Sequence, residues 1–161
     1  MKRYNKLQEL FYESIERECH GIYKQKALFH SLQVCALCQK LALEQGLDVT
    51  LAMIIGLFHD YAQFIHHTSF DHASRSAQML RPYLDEFSPE DIHIIITAIQ
   101  NHSHKERIDD AYSEIVKDAD ILAQYFYEPD IVFDDIHQKR LLRYIKNESH
   151  RDSFLLFKHS F

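Results

Sequence analysis

Apolar residues recur at intervals of three and four along most of this chain, and no stretch sustains the alternation typical of a β-strand. Only three glycines and three prolines interrupt the pattern. The pattern predicts an all-α fold, a single compact bundle of about seven helices. The predicted helices run from Arg3 to Cys19, about Ala27 to Glu44, after Asp48 to near Asp60, Asp71 to around Tyr83, Pro89 to about Asn101, Ser113 to Tyr127 and about Asp135 to Asn147.

Short polar residues, glycine and proline mark several of these boundaries. Gly46 is a C-terminal stop for the second helix. Asp48 and Asp71 are candidate N-caps of the third and fourth helices. Ser88 is the expected cap of the fifth, with Pro89 at its first position.

Length and charge narrow the class of protein. The 161 residues fit one domain, residues 1–161, with a core at about residues 27–127. A chain of this size buries roughly 70% of the surface of its unfolded form, so it needs no covalent staples. The net charge of −6 argues against a nucleic-acid polymer as partner, because phosphate backbones recruit lysine and arginine.

We expect neither a signal peptide nor a membrane span. Residues 1–18 are charged throughout, unlike a signal peptide, and no apolar run reaches the roughly 20 residues of a membrane span. The three cysteines do not suggest a disulfide framework. Cys35 and Cys38 have the spacing of a CxxC motif, but they lie in the middle of an apolar helix and are expected to pack. We expect a cytoplasmic protein without a membrane partner.

The candidate chemistry begins with His59 and Asp60, which follow an apolar helix segment. A buried aspartate beside a buried histidine is costly unless another group compensates the charge, and a divalent metal would do so. His30 shares a helical stripe with apolar residues, His102 continues the buried face of the fifth helix, and Asp120 lies at the edge of an apolar stripe. Inward polar residues of this kind are what a metal site inside a helical bundle requires.

These residues form an ordered series of the type H…HD…H…H…D. The members are His30, His59, Asp60, His72, His102 and Asp120. From about Leu28 to Tyr125, the series resembles the HD superfamily of metal-dependent hydrolases. The resemblance implies that all six are metal ligands and that His59 and Asp60 take part in catalysis.

The resemblance also implies how the ligands divide between one or two ions. It assigns the first ion to His30, His59, Asp60 and Asp120, and the second to His72 and His102. Imidazole and carboxylate ligands suit Fe, Mn, Zn, Co or Ni. A bound divalent ion can lower the pKa of its water to about 7 and so provide hydroxide at neutral pH. Asp60 is expected to bridge two ions or to orient the nucleophile.

Several neighbouring polar residues receive other interpretations. Asp118 is expected to be a solvated carboxylate or one outside the ligand set, and His104 is an alternative to His102 as ligand. His66 and His67 are expected in a loop, with substrate contact left open. The apolar and aromatic tail, residues 153–161, has no assigned role.

One departure from the resembling family concerns the substrate. Many HD hydrolases continue the doublet with a glycine and then a cation, whereas this chain has Gln63 at that point. A strongly anionic substrate is therefore in some doubt, although Arg75, Lys105 or Arg107 can compensate from elsewhere. The candidate substrate-binding residues are Gln63, Arg75, His104 and Lys105.

The predicted function is hydrolysis of a phosphoester or phosphoanhydride bond in a small phosphorylated metabolite, a nucleotide being the best class. Two alternatives stay open. One is an enzyme, a di-iron oxygenase of the same superfamily, and the other is a metal-binding regulatory module without turnover. A purely structural helical protein would bind no metal. From the length we do not expect a full alarmone synthetase-hydrolase, and the signature of cyclic-dinucleotide phosphodiesterases does not occur in these residues. A homodimer is left open.

Overall fold

The computed structural model describes residues 2–128 and 130–146, with side chains to residue 144. The described part of the chain contains no strand, and the predicted all-α fold is confirmed. It comprises eight α-helices and one turn of 3-10 helix. These are α1 (Lys2–Glu18), α2 (Gly21–Gln45), α3 (Val49–Phe58), α4 (Tyr61–His66), α5 (His72–Leu80), the 3-10 turn (Arg81–Tyr83), α6 (Pro89–Asn101), α7 (Ala111–Tyr127) and α8 (Asp135–Lys146).

The long helix α2 packs against α3 on one side and α7 on another, and α6 packs against α3, α5 and α7. Gly56 allows the close approach of α3 to α2, since a Cβ there would lie 2.9 Å from the Cα of Cys35. Any larger residue would force the two helices apart. This contact brings the C-terminal end of α3 against the middle of α2.

Most of the boundary residues act as the sequence predicts. The side chain of Asp48 accepts hydrogen bonds from the amides of Thr50 and Leu51. Ser88 accepts from the amide of Asp91. Gly46 ends α2 in the left-handed conformation, with φ of 67°. Each of these caps satisfies backbone groups that a helix end leaves without partners.

Two helices begin earlier than predicted. Helix α2 starts at Gly21 rather than Ala27, without a side-chain cap. Tertiary contacts support the extra turns, because Tyr23 packs edge-on against Phe64 and donates to the carbonyl of Gln63. Helix α7 starts at Ala111 rather than at residue 113, since Asp110 caps it.

The connection between α3 and α5 also differs from the prediction. The sequence pattern did not identify α4, whose six residues are too few for helical periodicity to emerge. Asp71 makes no capping hydrogen bond and instead adopts a left-handed conformation, with φ of 47°. Asp71 therefore occupies the predicted N-cap position, and its backbone carbonyl rather than its side chain bonds to the helix.

Two further predictions concern the cysteines and the length of the apolar helices. Cys19, Cys35 and Cys38 are buried free thiols in the hydrophobic core. Within the described ranges, the helices are either too short or too polar to cross a bilayer. The tail at residues 153–161, like Pro129, lies outside the described residues.

Candidate metal centre

The six residues of the histidine–aspartate series lie together, although they come from five separate segments. His30 lies in the middle of α2, His59 and Asp60 follow α3, His72 opens α5, His102 follows α6, and Asp120 lies in α7. His59 and His102 are almost completely buried. The predicted convergence is therefore present in the structure. Three overlapping groups of these side chains each place their ligand atoms within 4.8 Å of one another.

Asp60 lies between two pairs of histidines. Its Oδ1 is 3.2 Å from the Nε2 atoms of both His72 and His102. Its Oδ2 is 3.6 Å from the Nε2 of His30 and 3.4 Å from that of His59. One carboxylate oxygen thus faces each pair, which is the arrangement needed to bridge two cations.

Asp120 completes the group around Asp60 Oδ2. Its Oδ1 lies 3.2 Å from the Nε2 of His30 and 3.7 Å from the Nε2 of His59. Asp60 Oδ2, His30, His59 and Asp120 therefore lie around one position, whereas Asp60, His72 and His102 lie around the other. His59, His102 and Asp120 form a third group that overlaps both.

Backbone carbonyls fix the orientation of three of the histidine rings. The Nδ1–H of His59 donates to the carbonyl of Gly56 at 2.8 Å. His102 donates in the same way to Ile99 at 2.7 Å, and His72 to the carbonyl of Ser69 at 2.9 Å. A carbonyl can only accept, so each Nδ1 carries the proton and each Nε2 is available as a ligand. Metal-binding histidines are commonly held in this way.

The contacts between histidines test whether a cation fits the site. The Nε2 atoms of His72 and His102 lie 3.1 Å apart, as do those of His30 and His59. The neutral rings of His72 and His102, both protonated at Nδ1, would face each other with lone pairs, so a cation between them would compensate. A proton or a divalent metal fits this donor set of imidazoles and carboxylates, and Fe, Mn, Zn, Co and Ni all accept such ligands.

The electrostatics of the centre keep both carboxylates ionised. Burial by itself would raise the pKa of Asp60, but the surrounding histidines outweigh it and hold the pKa well below its usual range. The pKa of Asp120 is lowered in the same way against burial, chiefly by Lys105 and His30. Burial opposes a charged His59, yet Asp60 and Asp120 raise the pKa of that imidazole to about 10. Burial lowers the pKa of His102 to about 4.

Lys105 holds the outer oxygen of Asp120. Its Nζ donates to Asp120 Oδ2 at 2.6 Å and to the carbonyl of His102 at 2.7 Å, and the residue is 9% exposed. Sequence reasoning placed Lys105 among the candidate substrate-binding residues. The structure places it at the site but already paired with a carboxylate of the centre.

Arg140 of α8 braces the segment that carries Lys105. Its guanidinium donates to the carbonyls of Lys105 and Arg107, each at 2.7 Å. It also donates to Glu114 at 2.9 Å and to Asp118 at 3.0 Å. Asp118 is therefore a carboxylate outside the ligand cluster, which is one of the two interpretations given to it, and it pairs with Arg140 rather than with solvent alone.

A cavity of about 580 Å³ opens onto the centre. Gln63 and Lys105 line it, whereas Arg75 and His104 are not among its lining residues. His104 is exposed, with Nδ1 3.4 Å from Glu106, and it lies outside the three ligand groups. His104 therefore does not replace His102 in the cluster.

His66 and His67 lie away from the cavity. His66 ends α4, and His67 caps it in a left-handed conformation. His67 stacks on Tyr23 with ring centroids 4.7 Å apart and donates to the carbonyl of Glu18. Neither histidine lines the cavity beside the cluster.

Sequence reasoning missed several residues of the cavity wall. Phe29 directly precedes His30, and Tyr127 follows Asp120 by two helical turns, so their spacing from the predicted ligands was the available signal. Asp134 and His137, which pair at 2.7 Å, also line the cavity. Asp134 directly precedes α8, and His137 lies in its first turn. No spacing in the sequence linked either residue to the predicted ligands.

Comparison with known proteins gives a consistent result. The model of the HD domain family matches residues 28–125. Ribonuclease Y of Geobacter metallireducens is 33% identical over 102 residues, which are 63% of this chain and 18% of that protein. Ribonuclease Y of Staphylococcus epidermidis is 34% identical over 102 residues, again 63% of this chain and 18% of that protein. Ribonuclease Y of Desulforamulus reducens is 38% identical over 74 residues, which are 45% of this chain and 14% of that protein.

The chain thus spans less than a fifth of the length of these curated relatives. The search of solved structures returned no match.

Proposed function

We propose that this chain, which belongs to the HD domain family of metal-dependent hydrolases, hydrolyses a phosphoester or phosphoanhydride bond in a small metabolite, a nucleotide being the favoured class. One observation supports this most strongly. The carboxylate of Asp60 faces two histidine pairs, one from each of its oxygens. Two ions held in this way would be spaced to clamp a phosphoryl group and its attacking oxygen.

The proposed ligand sets follow the two sides of Asp60. His30, His59, Asp60 and Asp120 would hold one ion, and Asp60, His72 and His102 would hold the other. Divalent ions there would supply a nucleophile from water at neutral pH and neutralise charge on the phosphoryl group. The physiological metal is proposed to be one of Fe, Mn, Zn, Co or Ni.

The protein's own residues would keep this centre in order. The carbonyls of Gly56, Ile99 and Ser69 hold three imidazoles with Nε2 directed inward. Lys105 fixes Asp120 through its outer oxygen and leaves the inner oxygen for the centre. His59 and Asp60, at the junction of the two ligand sets, are the proposed catalytic pair.

The charge of the cavity wall favours a small substrate. Two lysines line the cavity, whereas its carboxylates are Asp60, Asp120, Glu106, Glu128 and Asp134. With two divalent ions bound, the summed charge of these side chains and the ions would be only slightly positive. Together with the net charge of −6, this favours a ligand with one or few phosphates over a long polyanion.

RNA is a second candidate substrate, because the matched relatives are named Ribonuclease Y. Because the match covers less than a fifth of the length of these relatives, membership of the same family does not by itself assign their substrate to this chain. Gln63, where many family members have a cation, argues for the small-molecule alternative.

The test is a phosphate-release screen on the Mn²⁺-loaded protein with nucleoside mono- and triphosphates and sugar phosphates, together with gel electrophoresis of short RNA oligomers after incubation with the same protein. The control is Asp60→Asn, which keeps the size of the side chain and removes its charge. We expect release from a nucleotide by the parent protein, a loss of at least 100-fold in the variant, and negligible RNA cleavage. If RNA were cleaved faster than nucleotides are hydrolysed, RNA would replace nucleotides as the proposed substrate class. No turnover of any ester at full metal occupancy would overturn the proposed hydrolysis.

A further inference from the structure

Two exposed aromatic side chains form part of the cavity beside the candidate metal centre. Phe29 and Tyr127 are 49% and 48% exposed, and both line the cavity. Their ring centroids lie 5.5 Å apart at 53°. Ile136, 41% exposed, lines the same cavity. Large apolar side chains left exposed next to a polar centre are characteristic of ligand sites rather than of ordinary surface.

The position of the aromatic pair relative to the ligands is set by helix geometry. Phe29 adjoins His30 in α2, and Tyr127 lies seven residues after Asp120 in α7. Seven residues make nearly two helical turns, so Tyr127 is on the same side as Asp120 and about 10 Å further along the axis. A ligand with a phosphate at the metal centre and a planar ring one sugar away would span this distance.

The polar residues around the pair match the edge of a heterocycle. Gln33 lies one turn after Phe29, and Gln124 lies three residues before Tyr127; both line the cavity. Side-chain amides both donate and accept hydrogen bonds, as the edges of nucleobases do. The aromatic faces would bind any base, since every base offers a π-face for stacking.

We propose that Phe29 and Tyr127 form a nucleobase subsite, on which the base of a bound nucleotide stacks while its phosphate lies at the metal centre. This inference rests on the proposed function for the placement of the phosphate. Stacking strength follows ring size, so a purine nucleotide binds more tightly than a pyrimidine nucleotide. The pair thereby determines the substrate class as nucleotides rather than sugar phosphates.

Calorimetric binding to the Mn²⁺-loaded protein tests the subsite without requiring turnover. The probes are the non-hydrolysable phosphonate analogues of adenosine 5′-monophosphate and ribose 5-phosphate, which differ by the base. The variant is Phe29→Leu with Tyr127→Leu, which keeps apolar bulk and removes both rings. The matched control is Phe70→Leu with Tyr83→Leu, two rings that are 78% and 51% exposed and do not line this cavity.

We expect the parent to bind the adenosine 5′-monophosphate analogue about 5- to 150-fold more tightly than the ribose 5-phosphate analogue, in line with the strength of one base–aromatic stack. The Phe29, Tyr127 double variant should lose most of this factor for the nucleotide and keep its affinity for the sugar phosphate. The control should behave as the parent.

Three results would overturn the subsite: no nucleotide binding by the parent, equal affinity for the two probes, or a nucleotide preference that survives in the double variant. An equal loss for both probes would also overturn it, because the rings would then support the cavity rather than bind the base. Failure of the proposed hydrolysis is distinguishable. In that case the nucleotide would bind through Phe29 and Tyr127, but no ester would release phosphate.

Discussion

The Nε2 atom of His72 lies 3.1 Å from the Nε2 atom of His102. Both rings donate through Nδ1 to backbone carbonyls, so in their neutral forms neither can donate to the other. Both Nε2 atoms also lie 3.2 Å from Asp60 Oδ1. The contact is therefore best explained as a position for a shared cation.

The double variant His72→Ala, His102→Ala should bind fewer ions. We expect the stoichiometry in a Mn²⁺ or Fe²⁺ titration to fall from about two to about one, because the group around His30, His59 and Asp120 stays intact. His66→Ala with His67→Ala is the matched control, as neither histidine lines the cavity. An unchanged stoichiometry in the double variant, or a single ion in the parent, would reduce the site to a mononuclear one.

Removal of metal should lower thermal stability. Buried imidazoles and carboxylates are packed closely in the cluster and lose their compensating charge when the ions leave. Ligand linkage predicts about 4 kcal/mol of stabilisation when the metal concentration is a thousand times its dissociation constant. Melting curves of the purified protein with and without chelator measure the difference. Identical curves for protein that contains no metal by elemental analysis would refute the metal site.

His59→Ala and Asp60→Ala should each abolish turnover, whereas Asp118→Ala should retain more of it. Asp60 faces both parts of the cluster, and His59 faces both Asp60 and Asp120. Asp118 contacts Arg140 instead, and residues that support ligands from outside typically change activity by 10–100-fold. Steady-state kinetics, with circular dichroism to confirm folding, provide the comparison. If Asp118→Ala were as inactive as Asp120→Ala, the assignment of Asp120 alone as the ligand would be wrong.

Acid should weaken the ion-pair network behind the centre. Burial alone would raise the pKa of Glu114, but hydrogen bonds from Arg140 and Lys117 outweigh it and lower the pKa to about 2. Because the folded-state pKa is depressed, this contribution is fully present above the unfolded value of about 4.5 and is lost as pH falls toward 2. Glu114→Gln should therefore be less stable than the parent at pH 6, with the difference shrinking below pH 4.

Urea denaturation at several pH values measures this effect. Glu9→Gln, at an exposed position of α1, is the control and should follow the parent at every pH. A difference between Glu114→Gln and the parent that stays constant from pH 6 to pH 2.5 would contradict the ion-pair explanation.

The sequence was a good guide to the helices and to the ligand series. Caps such as Asp48 and Ser88 are local signals, and their hydrogen bonds form within one turn. The inward direction of His30 and His102 follows from their helical phase relative to apolar neighbours. Periodicity carries this information because one face of each helix must be buried.

The sequence was a poor guide to contacts made between distant segments. Lys105 was expected to reach solvent or substrate, but it pairs with Asp120 because the segment after α6 folds back onto α7. Arg140 is separated from the carbonyl it supports by 35 residues. Such pairs depend on tertiary packing, which no local pattern encodes. The short helix α4 was missed for another reason, because six residues are too few for helical periodicity to emerge.

The central claim is that the Asp60 carboxylate bridges two divalent ions, and anomalous X-ray scattering from Mn²⁺-loaded crystals tests it most directly. We predict two anomalous peaks roughly 4 Å apart, one on each side of Asp60. One peak should lie against His30, His59 and Asp120, and the other against His72 and His102. A map from fully loaded protein with a single peak, or none, within reach of Asp60 would contradict the bridge.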